Sequence, residues 1–362
     1  MCFGGMIVRK QMQKALAAVL ICLAAAAVLM ACTEKVVQTE DEAEEDVIRV
    51  GFSQLGAESD WRIANTESMM EAFSDEKSYD LIYDDAQQKQ ENQILAIRSF
   101  IQREVDYIVL APVKETDWDT VLQEAKDAGI PVILVDRMID TEDDSLYTAW
   151  VGSDFKLEAR KAMAWLEKYL EETGRAEEEI HIVDIQGTIG ASAQIGRTSG
   201  LEEAAGRHEN WHILAQKSGE FTQAKGREVM AELLEKYGDE IDVVYCENDN
   251  EAFGAIEAIE ASGREAGTEE GQILVISFDT TKAGLTDTMN KKIACNVECN
   301  PMHGPRIEEL VCRLEAGEQV EKQVYTKEEM FASDDTVKSV TIDGIAYGVT
   351  PVSQEIIDAR TY

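Results

Sequence analysis

Cations are scarce in this sequence. Its 362 residues hold 34 Lys and Arg against 71 Asp and Glu, a formal net charge of -37. Phosphate backbones are bound by clustered cations, so no nucleic-acid partner is expected. The balance suits a soluble surface outside the cytoplasm. An apolar run of membrane-spanning length is also missing, because Ala15 to Met30 is short for the roughly 20 residues such a helix needs. No CxxC or Cys/His spacing is present, so neither a metal nor a cofactor is expected. No GxGxxG follows a strand, and there is no Walker A loop. His181, His208, His212 and His303 do not form HExxH, and Gly190-Ala191-Ser192-Ala193-Gln194 lacks the last glycine of a nucleophile elbow. A glycosidase needs an acid and a base at a bond-cleaving distance, and acids this numerous produce chance pairs. No catalytic residue is assigned, and no enzyme is expected.

What is present begins with an export signal. Arg9, Lys10 and Lys14 precede the apolar run, the layout of a secretory segment. Leu29-Met30-Ala31-Cys32 resembles a bacterial lipoprotein box, which makes Cys32 the expected lipidated residue and residues 1–32 the signal. An uncleaved signal anchor is the alternative. Residues 33–46 are acidic and aperiodic and read as a flexible tether. Of seven cysteines, Cys2 and Cys22 leave with the signal. Cys246, Cys295, Cys299 and Cys312 remain and are expected as buried thiols, with a disulfide left open. Cys295 and Cys299 lie ~13 Å apart on one expected strand, too far to bridge each other.

From Val47 onward, apolar runs and helical periods alternate. Strands are predicted at Val47–Val50, Tyr79–Tyr83, Tyr107–Ala111, Val132–Val135 and Tyr147–Gly152, and again at Ile180–Ile185, His212–Ala215, Ile241–Tyr245, Ile273–Ile276 and Ile293–Glu298. Helices are predicted between them, among them Gln87–Glu104, Asp154–Glu172, Ser192–Ala205, Asp249–Ala261 and Gly304–Ala316. This order predicts an α/β fold of two doubly wound Rossmann-like lobes joined by several crossings.

Polar residues gather where the strands end: Trp61 and Arg62 past the first, then Asp136 and Arg137, Asn248, Asp279, and Glu298 with Asn300. Arg197 and Phe221 fall near the same rim. In open α/β sheets, ligands lie outside the carboxyl ends of the strands. Carboxylates, an amide and guanidinium groups accept from and donate to hydroxyls, and aromatic rings cover the C–H faces of a sugar. Each residue also has a plainer reading. Asp136 and Asp279 suit helix caps, Trp61 suits a core position, and Arg62, Arg197 and Glu298 suit solvated positions.

Several motifs occur in matching order: Val50-Gly51-Phe52-Ser53-Gln54, Trp61-Arg62, Gln87 to Ile94, Ala111-Pro112-Val113, Val135-Asp136-Arg137, Gln186 to Ser192 and Gly219-Glu220-Phe221-Thr222. Over Val47 to about Pro305 the chain resembles the galactofuranose-binding branch of the type 1 periplasmic sugar-binding proteins, which include the ribose-binding proteins. The resemblance implies three hinge crossings, a monosaccharide held between the lobes by hinge closure, and delivery to an ABC importer permease. Carried over by motif, the ligand residues are Trp61, Arg62, Asp136, Arg137, Arg197, Phe221, Asn248 and Asp279, with Glu298 beside the second crossing. The implied lobes are residues 47–150 plus about 298–330, and 151–297 plus about 331–362. The chain departs from the family in two places. Asp279-Thr280-Thr281 replaces an Asp-Gly turn, and Phe331 to Gly344 reads as an insertion with a hairpin at Asp343-Gly344. A monomeric lipoprotein anchored outside the cytoplasmic membrane is the expectation. A sensor subunit serving a receptor kinase, a repressor-type regulator and an enzyme are the rival functions.

Overall fold

The computed structural model describes residues 47–362. The signal, lipidation and tether expectations for residues 1–46 lie outside the described residues. Ten strands build two sheets of one topology. The first holds β1 (Ile48–Gln54), β2 (Tyr79–Asp85), β3 (Tyr107–Leu110), β4 (Val132–Val135) and β5 (Ala149–Gly152), ordered β2-β1-β3-β4-β5 and all parallel. The second holds β6 (Ile180–Gln186), β7 (Trp211–Ser218), β8 (Val243–Cys246), β9 (Leu274–Asp279) and β10 (Cys295–Glu298), ordered β7-β6-β8-β9-β10 and again parallel. In each sheet the chain order reverses beside the first strand, which opens a crevice at the carboxyl ends.

The later chain completes both sheets. β11 (Gln323–Tyr325) runs parallel outside β5. β12 (Met330–Ala332) runs antiparallel to β10, and β15 (Thr350–Pro351) pairs with β12. Phe331 and Ala332 are therefore strand residues of the second sheet. Between them, β13 (Ser339–Ile342) and β14 (Ile345–Gly348) form a hairpin whose turn residues Asp343 and Gly344 have φ of 51° and 80°. Both values are positive, as the tightest hairpin turn requires.

Helices cover both faces of both sheets: α1 (Asp60–Ala72), α2 (Gln90–Gln102), α3 (Asp119–Asp127), α4 (Phe155–Glu172), α5 (Ser192–Ala205), α6 (Gln223–Tyr237), α7 (Asp249–Ala261), α8 (Lys282–Met289), α9 (Gly304–Glu315) and α10 (Gln354–Ala359). Alternation along β4 explains the layering. Ile133 and Val135 join the cluster with Met69 of α1 and Ile307 of α9, whereas Val132 and Leu134 face Ile97 of α2 and Leu122 of α3. Burying each such side chain contributes about 1.5–3 kcal/mol. A strand buried on both faces reads as an unbroken apolar run, which is why these strands are visible in the sequence. α2 starts three residues later than its periodicity suggests, because Gln87 and Gln88 take φ of 54° and 59°. Cys246, Cys295 and Cys299 are buried free thiols, while Cys312 is an exposed one on α9, contrary to expectation.

Candidate functional site

Five strand ends and one helix deliver the site. Beyond β1, Ser59 caps α1 by accepting from Arg62 N (3.2 Å), which places Trp61 and Arg62 in the first helical turn. Trp61 donates from Nε1 to Cys299 O (2.6 Å) and meets the His303 ring edge-on at 5.9 Å. Its orientation is thus set by the second crossing between the lobes. Beyond β4 come Asp136 and Arg137; beyond β7, Phe221; beyond β8, Asn248; and at the end of β9, Asp279. Arg197 reaches the same space from α5. All eight line one cleft between the sheets, with Glu58, Ser59, Phe155, Ala193 and Cys299.

Backbone strain collects here. Asp136 (φ 64°), Glu220 (57°), Phe221 (60°), Asp279 (101°) and Thr280 (54°) all occupy the left-handed side of conformational space. Such residues cost about 1–3 kcal/mol each and persist where their surroundings over-determine them. Phe221 shows how: its N donates to Glu251 Oε1 (2.9 Å), and its carbonyl accepts from Asn248 Nδ2 (3.1 Å). Thr280 takes a glycine-like backbone despite its branched side chain, with its N bound to Asn296 Oδ1 at 3.2 Å.

The electrostatics are interlocked. Arg62 donates to Glu58 Oε1 (3.1 Å) and to Asp136 Oδ2 (2.7 Å). Burial disfavours its charge, but Asp136 and Glu58 outweigh that and hold its pKa above the ordinary arginine value. Arg137 donates to Val113 O (3.0 Å) and lies over the Phe221 ring at 5.1 Å. Burial, then the neighbouring Arg62 charge, bring it down to about 10, so it stays a cation at neutral pH. Arg197 binds Glu158 Oε2 (2.9 Å) and Glu247 O, with Asp279 Oδ1 3.7 Å away. Burial pushes the Asp279 carboxyl well up despite Arg197. Glu58 Oε2, Arg62 Nη1 and Arg137 Nε are buried without a hydrogen-bond partner, Arg137 Nε lying 3.9 Å from Asp136 Oδ2. Buried polar atoms are almost always bonded, so these three leave hydrogen-bonding capacity open on the cleft wall. Trp61, Phe155 and Phe221 form a buried apolar cluster in the same wall. Donors, acceptors and rings in one closed space suit a small polyhydroxylated molecule.

The core reading of Trp61 holds, since it is buried in an apolar cluster, but the plainer readings of the charged residues fail. Thr281, not Asp279, caps α8, and the helical turn Asp144–Leu146 that follows Asp136 is capped by Asp143. Arg62 and Arg197 are 3% and 2% exposed, far from solvated. Asn248 does cap α7, accepting from Glu251 N (2.8 Å), so its oxygen is already committed. Glu298 is the exception among the nine predicted residues. It lies outside the cleft, where it accepts from Arg360 Nη1, Tyr362 OH (2.7 Å) and Glu329 N (2.8 Å). It ties the C-terminal segment to β10 and is buried, not solvated. Sequence reasoning missed Glu58, Phe155 and Glu158. Glu58 was legible as an (i, i+4) partner of Arg62, whereas no local signal joins Glu158 to Arg197.

Among the described residues, Glu158, Cys299 and Glu328 bring ligand-type atoms within 4.8 Å of one another. Glu158 is already held by Arg197, and Glu328 accepts from Ser153, Thr326 and Asn300. The trio is a protein hydrogen-bond network, not a metal centre.

The lobes are closed on the cleft. Asp60 N donates to Asn250 Oδ1 (3.1 Å), Glu115 N to Gly190 O (2.9 Å) and Met138 N to Ser192 Oγ (2.9 Å), each bond joining the first lobe to the second.

The profile of the periplasmic binding protein domain matches residues 50–301. The chain is 40% identical over 290 residues to the galactofuranose-binding protein YtfQ of Escherichia coli (strain K12), covering 79% of this chain and 88% of that protein. Two solved structures share its architecture. One is a Mycobacterium smegmatis protein in complex with β-D-fucofuranose, at 42% identity and TM-score 0.74, covering 80% of this chain and 92% of that one. The other is the periplasmic component of the arabinose ABC transporter of Shewanella sp. ANA-3, bound to α- and β-L-arabinofuranose. It shows 38% identity and TM-score 0.73 and covers 80% of this chain and 93% of that one.

Proposed function

Since this chain belongs to the periplasmic binding protein family, we propose that it captures a single monosaccharide in furanose form between its lobes and delivers it to an ABC importer. One observation carries the reading: eight strand-end and helix residues expected to hold sugar converge on one cleft between the lobes. Galactofuranose, fucofuranose and L-arabinofuranose, named with the relatives above, share a ring and its hydroxyl configuration and differ in the exocyclic chain. That common ring is the proposed ligand core. Binding proceeds by domain closure and not by bond chemistry, because a ligand that touches both lobes favours the closed state.

The test is thermal melting with ring-locked sugars. Methyl β-D-galactofuranoside is expected to raise the melting temperature, since a ligand at a hundred times its Kd stabilises by about 2.7 kcal/mol. The matching galactopyranoside is expected to leave it unchanged. Stabilisation by the pyranoside alone would overturn the furanose reading.

Attachment through lipid on Cys32 completes the proposal, supported by the charged, apolar and box-like start of the chain. Among the described residues no helix is long and apolar enough to cross a membrane. Two or more acyl chains anchor stably where one does not. Cys32→Ala is therefore expected to move the protein to the soluble fraction or leave its precursor unprocessed. Normal processing and membrane retention of that variant would refute the anchor.

A further inference from the structure

Three chain segments cross between the lobes. The first leaves β5 at Ser153, the second leaves β10 at Cys299 and Asn300, and the third runs through 326–329 between β11 and β12. A single oxygen, Glu328 Oε1, accepts from all three: from Ser153 Oγ, from Asn300 N (3.1 Å) and from Thr326 Oγ1 (2.9 Å). Ser153 Oγ also lies 3.4 Å from Cys299 Sγ. Lys161 Nζ approaches the Glu328 carbonyl at 3.4 Å.

The same knot touches the ligand cleft. Glu158 holds the cleft residue Arg197 with Oε2, while its buried Oε1 has no protein partner. Cys299 Sγ and a carboxyl oxygen from each of Glu158 and Glu328 lie within 4.8 Å of one another. Contacts therefore run from Arg197 through Glu158 to the crossings.

We propose that Glu328 is the positioning residue that sets how readily the lobes close, by binding the three crossings together only in the closed orientation. Rotation about the crossings separates Ser153, Asn300 and Thr326 and lets water reach the carboxyl group.

The electrostatics give this device a proton. Although Glu328 as a residue is only part-buried, its carboxyl end lies inside, and burial, then the facing Glu158, push it up to about 8. The other groups near the knot are Cys299, whose thiol burial holds protonated, and the cations Lys161 and Arg197. Burial raises the Glu158 carboxyl too, but Glu158 is bound by the Arg197 guanidinium while Glu328 Oε1 is bound by neutral donors, so the proton is placed on Glu328. Hydrated in the open form, Glu328 returns toward the ordinary carboxylate range and releases that proton. The closed form thus holds more protons between about pH 5 and 8, and acidification across that window favours closure.

The readout rests on the sugar-binding reading, so two measurements separate the ideas. Calorimetry with methyl β-D-galactofuranoside at pH 5.5, 7 and 8 is expected to show wild-type affinity falling at least about tenfold as pH rises. Glu328→Gln keeps an acceptor oxygen for the three donors and offers N–H toward Glu158, as the protonated acid does. Its affinity is expected to change less with pH than that of the wild type, because Asp279 and Glu158 still titrate, and to match the wild-type value at pH 5.5. Glu328→Ala is expected to bind more weakly at every pH. Parallel pH profiles in wild type and Glu328→Gln would overturn the inference. Should no sugar bind the wild type, the furanose reading fails by itself. Scattering of the ligand-free protein then decides: a smaller radius at pH 5.5 than at pH 8, lost in Glu328→Gln, supports the hinge role, and equal wild-type radii overturn it.

Discussion

Arg197→Ala is expected to weaken sugar binding by about a thousandfold or more and to lower the melting temperature. The guanidinium stands between Glu158, at 2.9 Å, and Asp279, at 3.7 Å, with all three side chains buried. Removing one partner of a buried ion pair costs about 3–5 kcal/mol, because the remaining charges are left without compensation. A thousandfold change in Kd corresponds to about 4 kcal/mol. Arg197 also faces Phe278 at 4.7 Å and Phe155 at 5.4 Å, so its planar group is packed as well as paired. Lysine is compact, lacks the fork and does not reproduce those contacts. Arg197→Lys is therefore expected to recover part of the stability and little of the affinity. Calorimetry and melting on both variants check this. Binding by Arg197→Ala within tenfold of wild type would remove Arg197 from the ligand set.

Gly187→Ala should cost about ten- to a hundredfold in affinity through a clash with an aromatic wall. Gly187 follows β6, and a methyl group there would lie 1.9 Å from Phe221 Cζ and 2.2 Å from Cε1. Neither side yields easily. Gly187 is held through its N to Glu247 Oε2 (2.8 Å) and through its carbonyl to Ser218 Oγ (2.7 Å). Phe221 is fixed on both sides of its peptide by Glu251 and Asn248. Overpacking of this kind costs about 1–3 kcal/mol, and the displaced ring no longer covers the sugar. Shrinking the ring separates the two effects. Gly187→Ala with Phe221→Leu is expected to regain the melting temperature of wild type while its affinity stays low. Wild-type affinity in the single variant would show that Phe221 is not a ligand wall.

Much of this architecture is written locally. Val132–Val135 and Tyr107–Leu110 are unbroken apolar runs because each strand is covered on both faces, and their ends are marked by the first polar residue. A residue placed just after such a run must begin at the carboxyl edge of a sheet. Trp61, Arg62, Asp136, Arg137, Asn248 and Asp279 could for this reason be named before any packing was known. Short strands gave no such mark. β11, β12 and β15 are two or three residues long, and β11 and β15 lie largely exposed, too brief to show a period.

The sequence by itself determined the alternation of strands and helices, the polar strand ends and the excess of acid. These depend on neighbours a few residues apart, where backbone geometry dictates which side chains share a face. Only the tertiary structure decided which strand ends meet and which charges pair. Glu298 and Asp279 both end strands and lie in register across β10 and β9, yet Asp279 turns into the cleft at φ 101° while Glu298 binds Arg360 and Tyr362. Glu158 and Arg197 lie 39 residues apart, and Glu328 lies 175 residues from Ser153. Such partners are selected by the cost of burying a charge or a polar atom unpaired, and that cost exists only once the lobes have folded and closed.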